Sequence, residues 1–125
     1  ISRGSSIVTF LDKDGAACKC ITKNLAKFNL YENEHVNCAD VINCDFFSKN
    51  LSTSNKFDVV FLDPPYELIK ANKVFMRLKE LRVTKINSLI IYECNKELEK
   101  MDGLELLRSK KIGKTYLNFF KGFNE

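Results

Sequence analysis

Apolar runs of strand length alternate along this chain with segments whose apolar residues recur at helical spacing. Ile7-Val8-Thr9-Phe10-Leu11 is β-branched and aromatic, apolar on both faces, the pattern of a parallel strand covered by helices on each side. It stops at Asp12-Lys13-Asp14. Ala17, Ile21, Leu25 and Phe28 then mark one face of a helix, with Lys19, Lys23 and Lys27 on another and Asp14 placed as its N-cap. Asn29 to Asp40 is polar and reads as loop. Val41-Ile42-Asn43 reads as a short strand ending in Cys44-Asp45-Phe46-Phe47, before a short helical turn and the polar linker Ser52-Thr53-Ser54-Asn55-Lys56.

A buried apolar strand, Phe57-Asp58-Val59-Val60-Phe61-Leu62, follows and runs into Asp63-Pro64-Pro65-Tyr66. Beyond it, Leu68, Phe75, Leu78 and Leu81 predict a helix of about four turns at 3.6 residues per turn. Ser88-Leu89-Ile90-Ile91-Tyr92-Glu93 is a further buried strand. Leu104–Ile112 and Thr115–Lys121, either side of Gly113-Lys114, have the alternation of a hairpin. Strands alternating with helices and then a hairpin imply an α/β fold, a mostly parallel sheet with an antiparallel C-terminal hairpin, in a single domain. No internal repeat is present.

The end of the 57–62 strand carries the candidate chemistry. Two prolines have no N–H to donate and hold φ near −65°, so the sheet cannot continue through them. Pro64 also keeps Asp63 out of the α region, which presents its carboxylate at the strand's carboxyl end, where open α/β sheets bind ligands. A Pro-Pro turn with a solvated Asp63 and a surface Tyr66 is the plain alternative. Four such residues directly after an apolar run favour the functional one.

Composition narrows the class. With 125 residues and 45% hydrophobic content the chain can bury a core of its own. No signal-like or membrane-spanning run is present, which leads to the expectation of a soluble, cytoplasmic protein. Cys18, Cys20, Cys38, Cys44 and Cys94 contain no Cys-x-x-Cys pair and His35 is the only histidine, so no metal site is expected and the thiols suit a reducing compartment. Residues 1–66 hold 7 Lys/Arg and 8 Asp/Glu, and residues 67–125 hold 13 and 8. The back half is thus the candidate polyanion-facing side, against the alternative of an ordinary solvated face.

With Asp63-Pro64-Pro65-Tyr66 in this order of elements, the chain resembles the Rossmann-like S-adenosylmethionine-dependent methyltransferases of exocyclic amino nitrogens. The nearer resemblance is to the RsmD family, which methylates guanine N2 in small-subunit ribosomal RNA. It is carried by Ser2-Arg3-Gly4, Val8 to Asp14 leading into Ala16-Ala17-Cys18 and Lys23-Asn24-Leu25, Phe57–Tyr66, and Ile91-Tyr92-Glu93.

The resemblance implies S-adenosyl-L-methionine as cofactor, with Asp12 on the ribose hydroxyls, Lys13 beside the adenine, Asp45 accepting from the adenine amino group and Phe46 against the ring. It implies Asp63, Pro64 and Tyr66 as catalytic residues, with Pro65 and Tyr66 also binding the base. Lys70, Lys73 and Lys114 would hold phosphates of ribosomal RNA, naked or in a small-subunit particle. Neither a membrane nor a metal is implied, and nothing bears on oligomeric state.

One departure is large. The family's glycine-rich cofactor loop, and the strand before it, lie upstream of Ser-Arg-Gly, and Gly4, Gly15, Gly103, Gly113 and Gly122 form no substitute cluster. The expectation is a partial domain, the C-terminal two-thirds of the family's fold, whose first and 57–62 strands do not pair directly. Two other functions share these features: a DNA adenine-N6 or cytosine-N4 methyltransferase, and a catalytically silent RNA-binding module.

Overall fold

The computed structural model describes residues 3–5, 7–29, 34–38, 56–64, 71–101 and 103–123. They fall into two compact units, Ile1–Phe46 and Phe47–Glu125.

In the first unit, β1 (Val8–Asp12) is followed by α1 (Gly15–Lys27) and β2 (Glu34–Cys38). β1 and β2 pair in parallel from Val8 opposite Glu34 to Asp12 opposite Cys38, and α1 is the crossover that a parallel pair requires. The strand-to-helix turn is made by two carboxylates. Asp12 Oδ1 accepts from the Asp14 amide at 2.8 Å, and Asp14, the N-cap, accepts from the Ala16 amide at 2.9 Å. Inside the helix, Cys18 is buried and its thiol donates to the Asp12 carbonyl at 3.5 Å.

Two expectations are corrected in this unit. The stretch 29–40 is not all loop, because it contains β2, whose polar composition hides a strand held by its backbone ladder to β1. Phe28 does not extend the apolar face of α1. It is the C-cap, with φ −103°, and is 72% exposed, since the helical phase ends before it. The expected strand at 41–43, the turn after Phe47 and the linker at 52–55 lie outside the described residues.

The second unit is a four-stranded sheet in the order β3 (Phe57–Leu62), β4 (Thr84–Cys94), β6 (Thr115–Lys121), β5 (Glu105–Ile112), with α2 (Ala71–Leu81) between β3 and β4 in sequence. α2 presents Val74, Phe75 and Leu78, at i, i+1 and i+4, to the sheet. The Phe75 ring lies 5.3 Å from that of Tyr92 and 5.0 Å from that of Phe120, so this aromatic trio joins the helix to β4 and β6. Ile90, Val83, Leu98 and Leu104 are buried with them, as are Cys94 and Phe123.

The expected mostly parallel sheet is corrected to a mixed one. β3–β4 is parallel, while β4–β6 and β6–β5 are antiparallel. The sequence shows each strand but not its neighbours, and here the hairpin supplies two of the four strands. The expected buried 57–62 run is also corrected. β3 is an edge strand of this sheet, and Val59 and Phe61 are 57% and 56% exposed, whereas Val60 and Leu62 turn inward. Apolar residues on both faces of a strand show that both could be covered, not that both are. α2 spans three turns rather than four, starting at Ala71; Leu68 lies outside the described residues.

A tight seam closes the start of the β3–β4 ladder. From Phe57–Thr84 to Val59–Leu89, β4 advances five residues against two in β3. Ser88 Oγ donates to the Phe57 carbonyl at 2.7 Å, and the Gly122 amide donates to the Ser88 carbonyl at 2.6 Å. A Cβ at Gly122 would lie 2.7 Å from the Lys85 carbonyl oxygen and 3.2 Å from Ser88 Cβ. Gly122→Ala is therefore expected to destabilise by about 1–3 kcal/mol, because backbone and not a flexible tip must move. Urea unfolding checks this: the midpoint should fall with an unchanged slope, and an unchanged midpoint would refute the clash.

Candidate active site

β3 and β4 run in parallel, so their carboxyl ends lie at one end of the sheet. Leu62 is opposite Tyr92, and the next residue of β3's chain is Asp63. Asp63 is exposed and Pro64 half-buried. Among the described residues Asp63 makes no hydrogen bond or ion pair, unlike Asp58 at the other end of the strand, whose carboxylate meets Lys85 Nζ at 2.6 Å. An unengaged carboxylate at a strand's carboxyl end can accept hydrogen bonds from a ligand without breaking any in the protein. Pro65 and Tyr66 lie outside the described residues.

In the first unit, Asp12, a half-buried residue, closes β1, and its carboxylate's hydrogen bond to Asp14 lies at the surface. Its Oδ1 is occupied by the Asp14 amide, which leaves Oδ2 as the acceptor for a ligand hydroxyl. Lys13 is exposed beside it. Asp45, Phe46 and Lys70 lie outside the described residues, while Lys73 and Lys114 are exposed.

The carboxyl end of β4 is anchored by a residue that the sequence reading passed over. Asn118 on β6 is fully buried. Its Oδ1 accepts from the Leu98 amide at 2.9 Å and Ser109 Oγ at 2.6 Å. Its Nδ2 donates to the carbonyls of Tyr92 and Lys96, each at 3.3 Å, and contacts Cys94 Sγ at 3.5 Å. One amide thus ties the segment leaving β4 to both strands of the hairpin. The available signal was a polar residue in the run Tyr116-Leu117-Asn118-Phe119-Phe120, where alternation puts it on the same face as Phe120.

Tyr92 stands beside Asn118, 3% exposed. Burial, and secondarily the electrostatic influence of neighbouring Cys94, push its phenol up from 10.0 to about 12. The fold therefore favours the neutral phenol. Tyr92's contribution to stability is complete below pH 10 and is lost as pH rises towards about 12, amounting to at most about 2–3 kcal/mol. Tyr92→Phe is expected to flatten the loss of stability over that window; chemical unfolding on either side of it, giving identical slopes for both proteins, would refute the assignment.

Comparison with known proteins bears on the class. The family described as conserved hypothetical protein 95 matches residues 1–121. The ribosomal RNA small subunit methyltransferase D of Haemophilus influenzae is 33% identical over 117 residues, 90% of this chain. The chain belongs to this family, the RsmD-like methyltransferases. It spans 58% of the length of that relative. A candidate methylase of Haemophilus influenzae superposes on 98% of the chain and 76% of its own, with TM-score 0.80 and 29% identity. A candidate methyltransferase of Escherichia coli gives TM-score 0.80 at 21% identity, over 99% of this chain and 67% of its own, and shares the fold. Methyltransferases of the family's kind in general use S-adenosylmethionine. No described helix is long and apolar enough to cross a membrane.

Proposed function

We propose that this chain carries the substrate half of an S-adenosylmethionine-dependent N-methyltransferase acting on the exocyclic amino group of guanine, N2, in small-subunit ribosomal RNA. The observation that carries the reading is the exposed, unengaged Asp63 followed by Pro64 at the carboxyl end of β3, in a chain matched to the family over residues 1–121. The relative's name supplies the RNA class.

The amino group of guanine is a weak nucleophile because its lone pair is delocalised into the ring. Asp63 accepts one amino hydrogen and the Pro64 carbonyl the other, which localises the lone pair and aims it out of the ring plane. Tyr66, with Pro65, stacks on the base once it is flipped out or presented in a single-stranded loop. Bound S-adenosylmethionine supplies an electrophilic methyl group. Asp12 would hold its ribose through Oδ2, with Lys13, Asp45 and Phe46 around the adenine; one free carboxylate oxygen with two lone pairs suits a pair of adjacent hydroxyls.

The chain is read as a partial Rossmann-like domain acting in the cytoplasm. Its span of 58% of the relative, and the exposed Val59 and Phe61 on the edge strand β3, support the partial reading. Transfer of labelled methyl from S-adenosylmethionine by the full-length protein should appear in small-subunit ribosomal RNA and not in duplex DNA. Methylation of DNA alone, or cofactor binding with no transfer to either, would overturn this function.

A further inference from the structure

The net charge of this chain has one address. Residues 105–121, the β5–β6 hairpin, hold Arg108, Lys110, Lys111, Lys114 and Lys121 against Glu105 alone, and the other residues hold fifteen bases and fifteen acids. The formal +4 of the whole chain thus resides in one hairpin. Arg108, Lys110, Lys111 and Lys114 are all exposed, and among the described residues none forms an ion pair, whereas Arg77 and Lys85 do. Two of these cations are steadied by rings that leave their charge intact. Arg108 Cζ lies 4.8 Å from the centre of Phe119, and Lys111 Nζ 5.7 Å from that of Tyr116.

The register of the sheet brings this charge to the candidate active site. Leu62 is opposite Tyr92, Tyr92 opposite Asn118, and Asn118 opposite Ser109. The carboxyl end of β3 and the turn of the hairpin therefore share one end of the sheet. Asp63 and Lys110, one step further along, are three strand spacings apart, roughly 14 Å at about 4.8 Å each. The turn itself, Gly113-Lys114, is a two-residue connection with Gly113 at φ 62°, which lifts Lys114 clear of the strands.

We infer that the turn end of the β5–β6 hairpin is a docking surface for RNA, in which Lys110, Lys111 and Lys114 hold backbone phosphates a few nucleotides from the base presented at Asp63. The inference rests on the reading of Asp63 as the site of an RNA methyltransferase. Unpaired cations at this spacing from a reacting base position the strand and release counterions without reading sequence. Lysines on an edge strand such as β5 also block edge-to-edge pairing of sheets. Glutamate blocks such pairing equally well but repels phosphate, which separates the two roles.

The test is the triple variant K110E/K111E/K114E of the full-length protein, titrated against a fluorescein-labelled RNA stem-loop by anisotropy at several salt concentrations. Affinity near 0.1 M salt should fall by at least about tenfold, and the slope of log affinity against log salt should drop by about 2, at roughly 0.7 per lost single-strand phosphate contact. Elution volume and thermal midpoint should not change. K114E alone, at the solvent-exposed turn, should lower the slope by about 0.7, which keeps the test open should the triple variant fold poorly. Unchanged RNA affinity in both variants would overturn the inference, as would binding of the unaltered protein to phosphatidylserine vesicles but not to the RNA. Because binding is read without turnover, failure of the methyltransferase reading would show separately, as hairpin-dependent RNA binding with no methyl transfer.

Discussion

Asp63→Ala in the full-length protein is expected to lower methyl transfer to small-subunit ribosomal RNA by at least about 10²–10³-fold, the range for removal of one preorganised group that stabilises a transition state. Cofactor binding should survive. Asp63 is exposed and makes no hydrogen bond or ion pair among the described residues, so its loss removes no interaction that holds β3. The thermal midpoint should therefore stay within about 2 °C of the parent, as for surface substitutions in general. Asp63→Asn keeps an acceptor oxygen but not the charge and should fall between the two. A radiometric assay with saturating S-adenosylmethionine, run beside calorimetry of cofactor binding, decides the matter. An alanine variant with activity near the parent's would remove Asp63 from the mechanism and leave Pro64 as an ordinary strand terminator.

Asn118→Leu is expected to have the largest effect on stability. The side chains share their heavy-atom count and branching, so the change opens no cavity, but two methyl groups are bulkier than the amide they replace and add crowding at this fully buried position. It leaves the buried Leu98 amide and Tyr92 carbonyl, and the part-buried Ser109 Oγ and Lys96 carbonyl, without their partner. Each unsatisfied buried group costs about 1–3 kcal/mol, and relaxation prevents full addition, so about 3–4 kcal/mol in total is expected. Asn118→Asp retains the two acceptor contacts but sets a carboxylate against two carbonyls, and should be no better. Urea unfolding measures both. A cost below about 1 kcal/mol for Asn118→Leu would mean that the segment after β4 is held by Leu98 and Leu104 packing rather than by this network.

Both predictions concern the carboxyl ends of β3 and β4, yet only one was legible in the sequence. Asp63 announced itself because prolines act locally: their missing N–H and fixed φ end a strand wherever they occur. Asp14 as N-cap was legible for the same reason, since an N-cap reaches only two residues on, to Ala16. Asn118 was not, because its five partners lie 9 to 26 residues away along the chain. A polar residue in a strand declares a need for partners without naming them. β2 was missed on similar grounds: in Glu34-His35-Val36-Asn37-Cys38 only Val36 and Cys38 are apolar, an alternation too short to stand out from a polar stretch, and the segment is a strand through its ladder to β1.

The basic hairpin shows the division from the other side. The sequence already held the excess of Lys and Arg in the back half, but as scattered residues equally consistent with an ordinary solvated surface. Two antiparallel pairings and one parallel pairing place that charge at the same end of the sheet as Asp63.

By itself, then, the sequence determined the α/β class, five of the six described strands together with both described helices, and the strand end carrying Asp63-Pro64. These depend on periodicity, caps and proline, interactions that span a few residues. Only the tertiary structure decided that the four-stranded sheet is mixed, that Val59 and Phe61 on β3 stay exposed, that Asn118 ties the end of β4 to the hairpin, and where the charge lies relative to Asp63. Those depend on which strands become neighbours, a choice made by burial and backbone pairing between distant segments, and no local pattern records it.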